Sequence, residues 1–95
     1  MDDINIKKLK KEEILRRKNR EKCFDKIKKM CLNKINITSQ TGKTNVWFEI
    51  PSFIMGYSSY NIDNCCEYLI KKIQNRGFKT ILFKPNILYI YWKFD

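Results

Sequence analysis

Residues 78–92 read Phe78-Lys79-Thr80-Ile81-Leu82-Phe83-Lys84-Pro85-Asn86-Ile87-Leu88-Tyr89-Ile90-Tyr91-Trp92. Two runs rich in β-branched and aromatic residues flank a turn signal at Lys84-Pro85-Asn86-Ile87, the pattern of a β-hairpin. The expected strands are Phe78–Phe83 and Leu88–Phe94. A four-residue connection pairs Phe83 with Leu88, Ile81 with Ile90 and Lys79 with Trp92, because opposed residues share a face. The core side then carries Ile81, Phe83, Leu88, Ile90 and Trp92, and the other side Thr80, Leu82, Tyr89 and Tyr91. A three-residue loop reverses this parity.

Upstream, Ile62, Cys66, Leu69 and Ile73 recur at steps of 4, 3 and 4, an amphipathic helix. Asn61 is a suitable N-cap for it, and Gly77 a left-handed stop. Val46, Phe48 and Ile50 alternate with Asn45, Trp47 and Glu49, a half-buried strand halted by Pro51. Phe53, Ile54, Met55, Tyr57 and Tyr60 make the segment 51–60 too apolar to stay in solvent. Phe24, Ile27, Cys31 and Ile35 give a further helix a face to bury, and residues 36–43 are expected to form a loop.

Residues 7–22 differ, with Leu9, Ile14 and Leu15 as their only large apolar residues. They have no stripe to bury, so they form either a mobile segment or a solvated helix held by pairs such as Glu12–Arg16, Glu13–Arg17 and Glu21–Lys18.

The expected fold class is α+β: a small three-stranded sheet with two helices in the order α-β-α-β-β, ending in the hairpin. Residues 1–35 form a basic helical arm whose second half packs on the sheet, and residues 44–94 a compact β-α-β-β module. Both helices lie on one face. If the first strand joins the hairpin's first strand directly, the pair is parallel.

The charge is polarised. Residues 1–34 hold 13 of the 20 Lys and Arg against 6 acids, whereas residues 35–95 hold 7 against 4. A basic arm on a small packed unit suits a polyanion. The candidate nucleic-acid-binding residues are Lys7, Lys8, Lys10, Lys11, Arg16, Arg17, Lys18, Arg20, Lys22, Lys26, Lys28 and Lys29, spread around the helix. Lys outnumbers Arg 16 to 4, and Ile and Asn are abundant. AT-rich coding contributes to such a bias, and Arg is the better phosphate fork. The alternative is a protein–protein assembly or virion-structural module. Its contacts are Trp47, Leu82, Tyr89 and Tyr91 on the sheet's second face, and the charge then serves only for solvation. A base-stacking sheet of the RNA-recognition kind lacks its basic-Gly-aromatic run here.

An enzyme is not expected. There is no histidine, the three glycines are scattered, and most of the ten carboxylates interleave with lysines on helices. The four cysteines form no Cys-x-x-Cys pair, so they read as buried small residues and imply neither metal nor cofactor. The longest apolar run, Ile87 to Trp92, is far short of the roughly 20 residues that span a membrane. Met1-Asp2-Asp3 is acidic where a secretory leader is basic, which leads us to expect a reducing compartment and no secretion.

The string Ile50-Pro51-Ser52-Phe53-Ile54-Met55-Gly56-Tyr57, Tyr60 before a helix with Cys65 and Tyr68, Gly77-Phe78, Pro85-Asn86 and Leu88-x-Ile90-x-Trp92 resembles a family. It is similar to short proteins of the nucleocytoplasmic large DNA viruses, of mimivirus and phycodnavirus kind, over roughly residues 46–92. The resemblance implies a viral accessory protein acting in the host cytoplasm, at the virus factory, or in the virion. Its expected partners are DNA or RNA, or a viral or host protein, and it supplies no catalytic residues.

Overall fold

A computed structural model describes residues 5–93. The chain runs α1 (Ile6–Gln40), β1 (Asn45–Glu49), α2 (Ile62–Gln74), β2 (Lys79–Phe83) and β3 (Ile87–Tyr91). This is the α+β arrangement expected from the sequence, with two helices on one face of a three-stranded sheet. The expected strand end at Phe94 and the acidic start Met1-Asp2-Asp3 lie outside the described residues.

The first helix is a single rod of 35 residues, about 52 Å at 1.5 Å per residue. The Asn5 side chain caps it by accepting from the Lys8 amide at 2.9 Å. Cys23, Ile27, Cys31 and Ile35 are buried, while the turns before them project from the packed body and give the molecule extents of 63 × 23 × 22 Å. Residues 7–22 are therefore helical, and 36–40, expected as loop, continue the helix. Both extensions have one cause. Once a packed segment has nucleated the helix, each added residue gains a hydrogen bond at little cost, until a breaker intervenes. Gly42, with φ of +87°, is that breaker.

The second helix starts as expected, the Asn61 side chain accepting from the Asn64 amide at 3.1 Å, and Gly77 beyond its end has φ of +93°. Cys65, Cys66, Leu69 and Ile73 are its buried residues. The core joins them to Ile27, Ile50, Leu88, Ile90 and Trp92, and all four cysteines are buried as unpaired thiols.

Two sequence expectations about the sheet are corrected. The strand order is β1-β3-β2, and β1 pairs antiparallel with β3, not parallel with β2. The hairpin's second strand occupies the middle, which aligns Val46 and Phe48 with Ile90 and Leu88 on the buried face. The Asn86 carbonyl accepts from the Ile50 amide at 2.8 Å, and its side chain donates to the Ile50 carbonyl at 2.9 Å. The Trp92 amide donates to Thr44 at the other end.

Secondly, the hairpin loop is Lys84-Pro85-Asn86, with a cis Lys84–Pro85 peptide, so Phe83 pairs with Ile87 and Leu82 with Leu88. This three-residue loop turns β2 over. Leu82 and Thr80 point to the helices, and the Gln74 side chain donates to the Thr80 hydroxyl at 3.0 Å. Ile81 and Phe83, assigned to the core from the sequence, are on the outer face.

Candidate nucleic-acid interface

The basic arm acquires a direction from its packing. Successive residues of a helix turn by about 100°. Cys23, Ile27, Cys31 and Ile35 define the packed side. Lys7, Lys11, Lys18, Lys22 and Lys29 fall within an arc of about 60° on the opposite side. They recur at steps of 4, 7, 4 and 7, a near-straight line about 33 Å long. All five are exposed. Lys8 and Lys26 flank this stripe. Taken together the twelve basic candidates remain spread around the circumference, as the sequence suggested. The stripe is the subset that aligns opposite the packed side once residues 7–22 and 23–35 form one continuous helix.

The other basic residues are occupied differently. Glu13 accepts from Arg16 at 3.3 Å, Arg17 at 3.4 Å and Arg20 at 3.5 Å. The hydrogen bond from Arg16 foremost, with the Arg16 charge and the contact with Arg17, lowers the Glu13 carboxyl pKa from the ordinary value. The expected Glu13–Arg17 pair is thus present, while Arg16 turns to Glu13 and not to Glu12. Lys28 lies 3.5 Å from Asp25. Asp25 also accepts from the Tyr68 hydroxyl, which is the main reason its carboxyl is held low. Lys26 sits 5.7 Å from the Tyr57 ring centroid, and Lys10 is exposed. No ion pair among the described residues involves a stripe lysine.

The segment 51–60 docks on the helix side. Tyr60 packs edge-on against Phe24 with centroids 5.5 Å apart, and the Ser58 amide donates to the Asn19 side chain. Neither this segment nor α1 covers the outer face of the sheet.

On that face the outward positions form three rows, Asn45–Tyr91–Lys79, Trp47–Tyr89–Ile81 and Glu49–Ile87–Phe83. Trp47 is 51% exposed, Phe83 48% and Ile81 46%. The Trp47 ring lies 4.6 Å from Tyr89 and 5.3 Å from Phe83, and Tyr89 stacks on Tyr91 at 5.5 Å. Of the four partner contacts expected on this face from the sequence, the structure unites Trp47, Tyr89 and Tyr91 and turns Leu82 inward. Ile81 and Phe83 take its place. Only the hairpin's loop length carried the signal that separates them.

The geometry is that of an α+β module with a projecting basic helix and an aromatic sheet face left uncovered. The chain belongs to a family of unknown function, DUF5759, whose model matches residues 4–74. It is similar to a protein of Acanthamoeba polyphaga mimivirus, Uncharacterized protein R447, at 36% identity over 74 residues, which is 74% of this chain and 60% of that protein. The chain therefore spans about three fifths of that relative's length. The family match includes most of the arm and ends before the hairpin, whereas the resemblance seen in the sequence began near residue 46. No solved structure matches.

Proposed function

We propose that this chain is a non-enzymatic viral accessory module that associates with nucleic acid, or with a nucleoprotein complex, through its basic helix. The observation that carries this reading is the outward stripe Lys7, Lys11, Lys18, Lys22 and Lys29, opposite the packed side of a continuous helix. A rigid rod holds these ammonium groups along one line, which suits the regular charge of a phosphate backbone. Lysines act as point charges without directed forks, so the binding is independent of base sequence. The relative's origin in a large DNA virus is compatible with action in the host cytoplasm, at the virus factory, or in the virion.

Titration of labelled single- and double-stranded DNA and RNA with the full chain, at rising salt, tests this. Five phosphate contacts on duplex DNA give a slope of about −4.5 in log affinity against log salt, hence several hundredfold weaker binding at 200 than at 50 mM. Reversing Lys11, Lys18, Lys22 and Lys29 to Glu abolishes binding. Replacing Arg16, Arg17 and Arg20 with Gln has the smaller effect, since Glu13 already engages them. Absence of binding near 100 mM salt would reduce the stripe to solvating charge.

A further inference from the structure

The outer sheet face goes beyond that reading, because its chemistry differs from the arm's. Its nine outward positions carry only one acid, Glu49, and one base, Lys79, with Lys93 beside Lys79 and Tyr91 at the edge, so apolar contact and not phosphate attraction dominates it. The remaining surface is Trp47, Ile81, Phe83, Ile87, Tyr89 and Tyr91, with Asn45 at a corner. A contiguous apolar patch of this kind on a small domain marks an interface.

The two charges stand at diagonally opposite corners, Glu49 at the outer end of β1 and Lys79 at the start of β2. We infer that the face is covered by a second copy of this chain, stacked face to face with the strands of the two sheets crossing near a right angle. The registers of the two strand pairs dictate this geometry. A two-fold axis in the interface along the Asn45–Phe83 diagonal carries Glu49 onto the position facing Lys79 of the other copy, and the reciprocal pair forms with it. On the axis, Tyr89 meets Tyr89 and Phe83 meets Phe83. A two-fold axis along the strands instead sets Glu49 against Phe83 and Lys79 against Asn45, leaving both charges without partners. Orthogonal stacking is one of the two ways in which sheets pack, and an isologous contact needs a self-complementary patch of this type. Both helices lie behind the sheet, so no element obstructs the approach, and the lysine stripe of each copy remains free.

Three strands of five residues make a small face, near the lower end of stable interfaces, so a micromolar, concentration-dependent dimer is expected. Sedimentation of the full chain should show the mass rising from 11.6 kDa toward twice that value with concentration. Glu49→Lys or Lys79→Glu alone should weaken association about tenfold. The doubly reversed chain should recover it, since the pair is re-formed with the signs exchanged. Trp47→Ser, at a half-exposed site that the fold does not need, should leave a folded monomer. A chain that stays monomeric to ~1 mM overturns the inference, as does a double reversal no stronger than either single one. Quenching of the native chain's tryptophan emission by oligothymidylate at concentrations where it is monomeric, absent from the Trp47→Ser chain, also overturns it and makes the face a base-stacking platform.

Discussion

Leu82 stands opposite Leu88 across the hairpin, both directed at the helices, while the neighbouring pair Phe83 and Ile87 points away. One residue of register thus decides which side chains hold the fold and which present themselves outside.

Trp92 and Phe83 therefore separate sharply in energetic terms. Trp92 is buried and packs edge-on against Phe78 with centroids 5.5 Å apart. Trp92→Ala is expected to cost about 3–5 kcal/mol, enough to unfold a domain of this size. Phe83→Ala should cost about 1 kcal/mol or less, since half the ring is already in water. Urea denaturation distinguishes the two. A large loss at Phe83 would restore the four-residue connection and its core face.

Deletions in the first helix should show a boundary. Cys23, Ile27, Cys31 and Ile35 belong to the core, so a chain beginning at Asn36 is expected to be unfolded by circular dichroism. Removal of residues 1–16 takes away exposed Ile6, Leu9, Ile14 and Leu15. That chain should keep its cooperative transition and lose helical signal in proportion to its length.

The four thiols should be silent in the native state. Burial pushes Cys31 and Cys65 up from 9.0 to about 12, and raises Cys23 and Cys66 as well. At about pH 8 a disulfide reagent should modify them only after denaturation, because the thiolate is the nucleophile. The sign of the linkage follows. The native state favours the neutral thiol, so this contribution is complete below pH 9 and is lost as pH rises from 9.0 toward about 12. Midpoints of urea unfolding measured from pH 8 upward should fall through this window.

Tyr68 and Asp25 should be coupled. The hydroxyl of Tyr68 on α2 donates to the Asp25 carboxylate on α1, and holds that carboxyl below its ordinary 3.8. The stabilisation is present above 3.8 and disappears as pH falls below it. Tyr68→Phe is expected to cost about 1 kcal/mol at neutral pH. At acid pH it should cost progressively less, because protonated Asp25 no longer rewards the bond. Equal losses at neutral and acid pH would show that packing of the ring against Phe24 carries the whole effect.

The sequence by itself determined the elements that depend on local periodicity and punctuation. The 3-4 spacing from Ile62 to Ile73 between Asn61 and Gly77 specified α2, and alternation in Val46-Trp47-Phe48-Glu49-Ile50 specified β1 and its buried side. These signals lie within a few residues and need no partner. The helix beyond Ile35 was obscured because Asn36-Ile37-Thr38-Ser39-Gln40 has weak intrinsic preference, and a packed neighbour extended it. Register was decided only in three dimensions. Leu82 and Phe83 are equally apolar, and a loop of three residues, tied through Asn86 to Ile50, selected between them. The lysine stripe became one line only when residues 7–22 joined the packed segment in a single helix, so that the buried side legible from Ile27 to Ile35 sets the outward side along its whole length. Tertiary structure added what a one-dimensional pattern lacks, a common inside against which each element's outward face is defined.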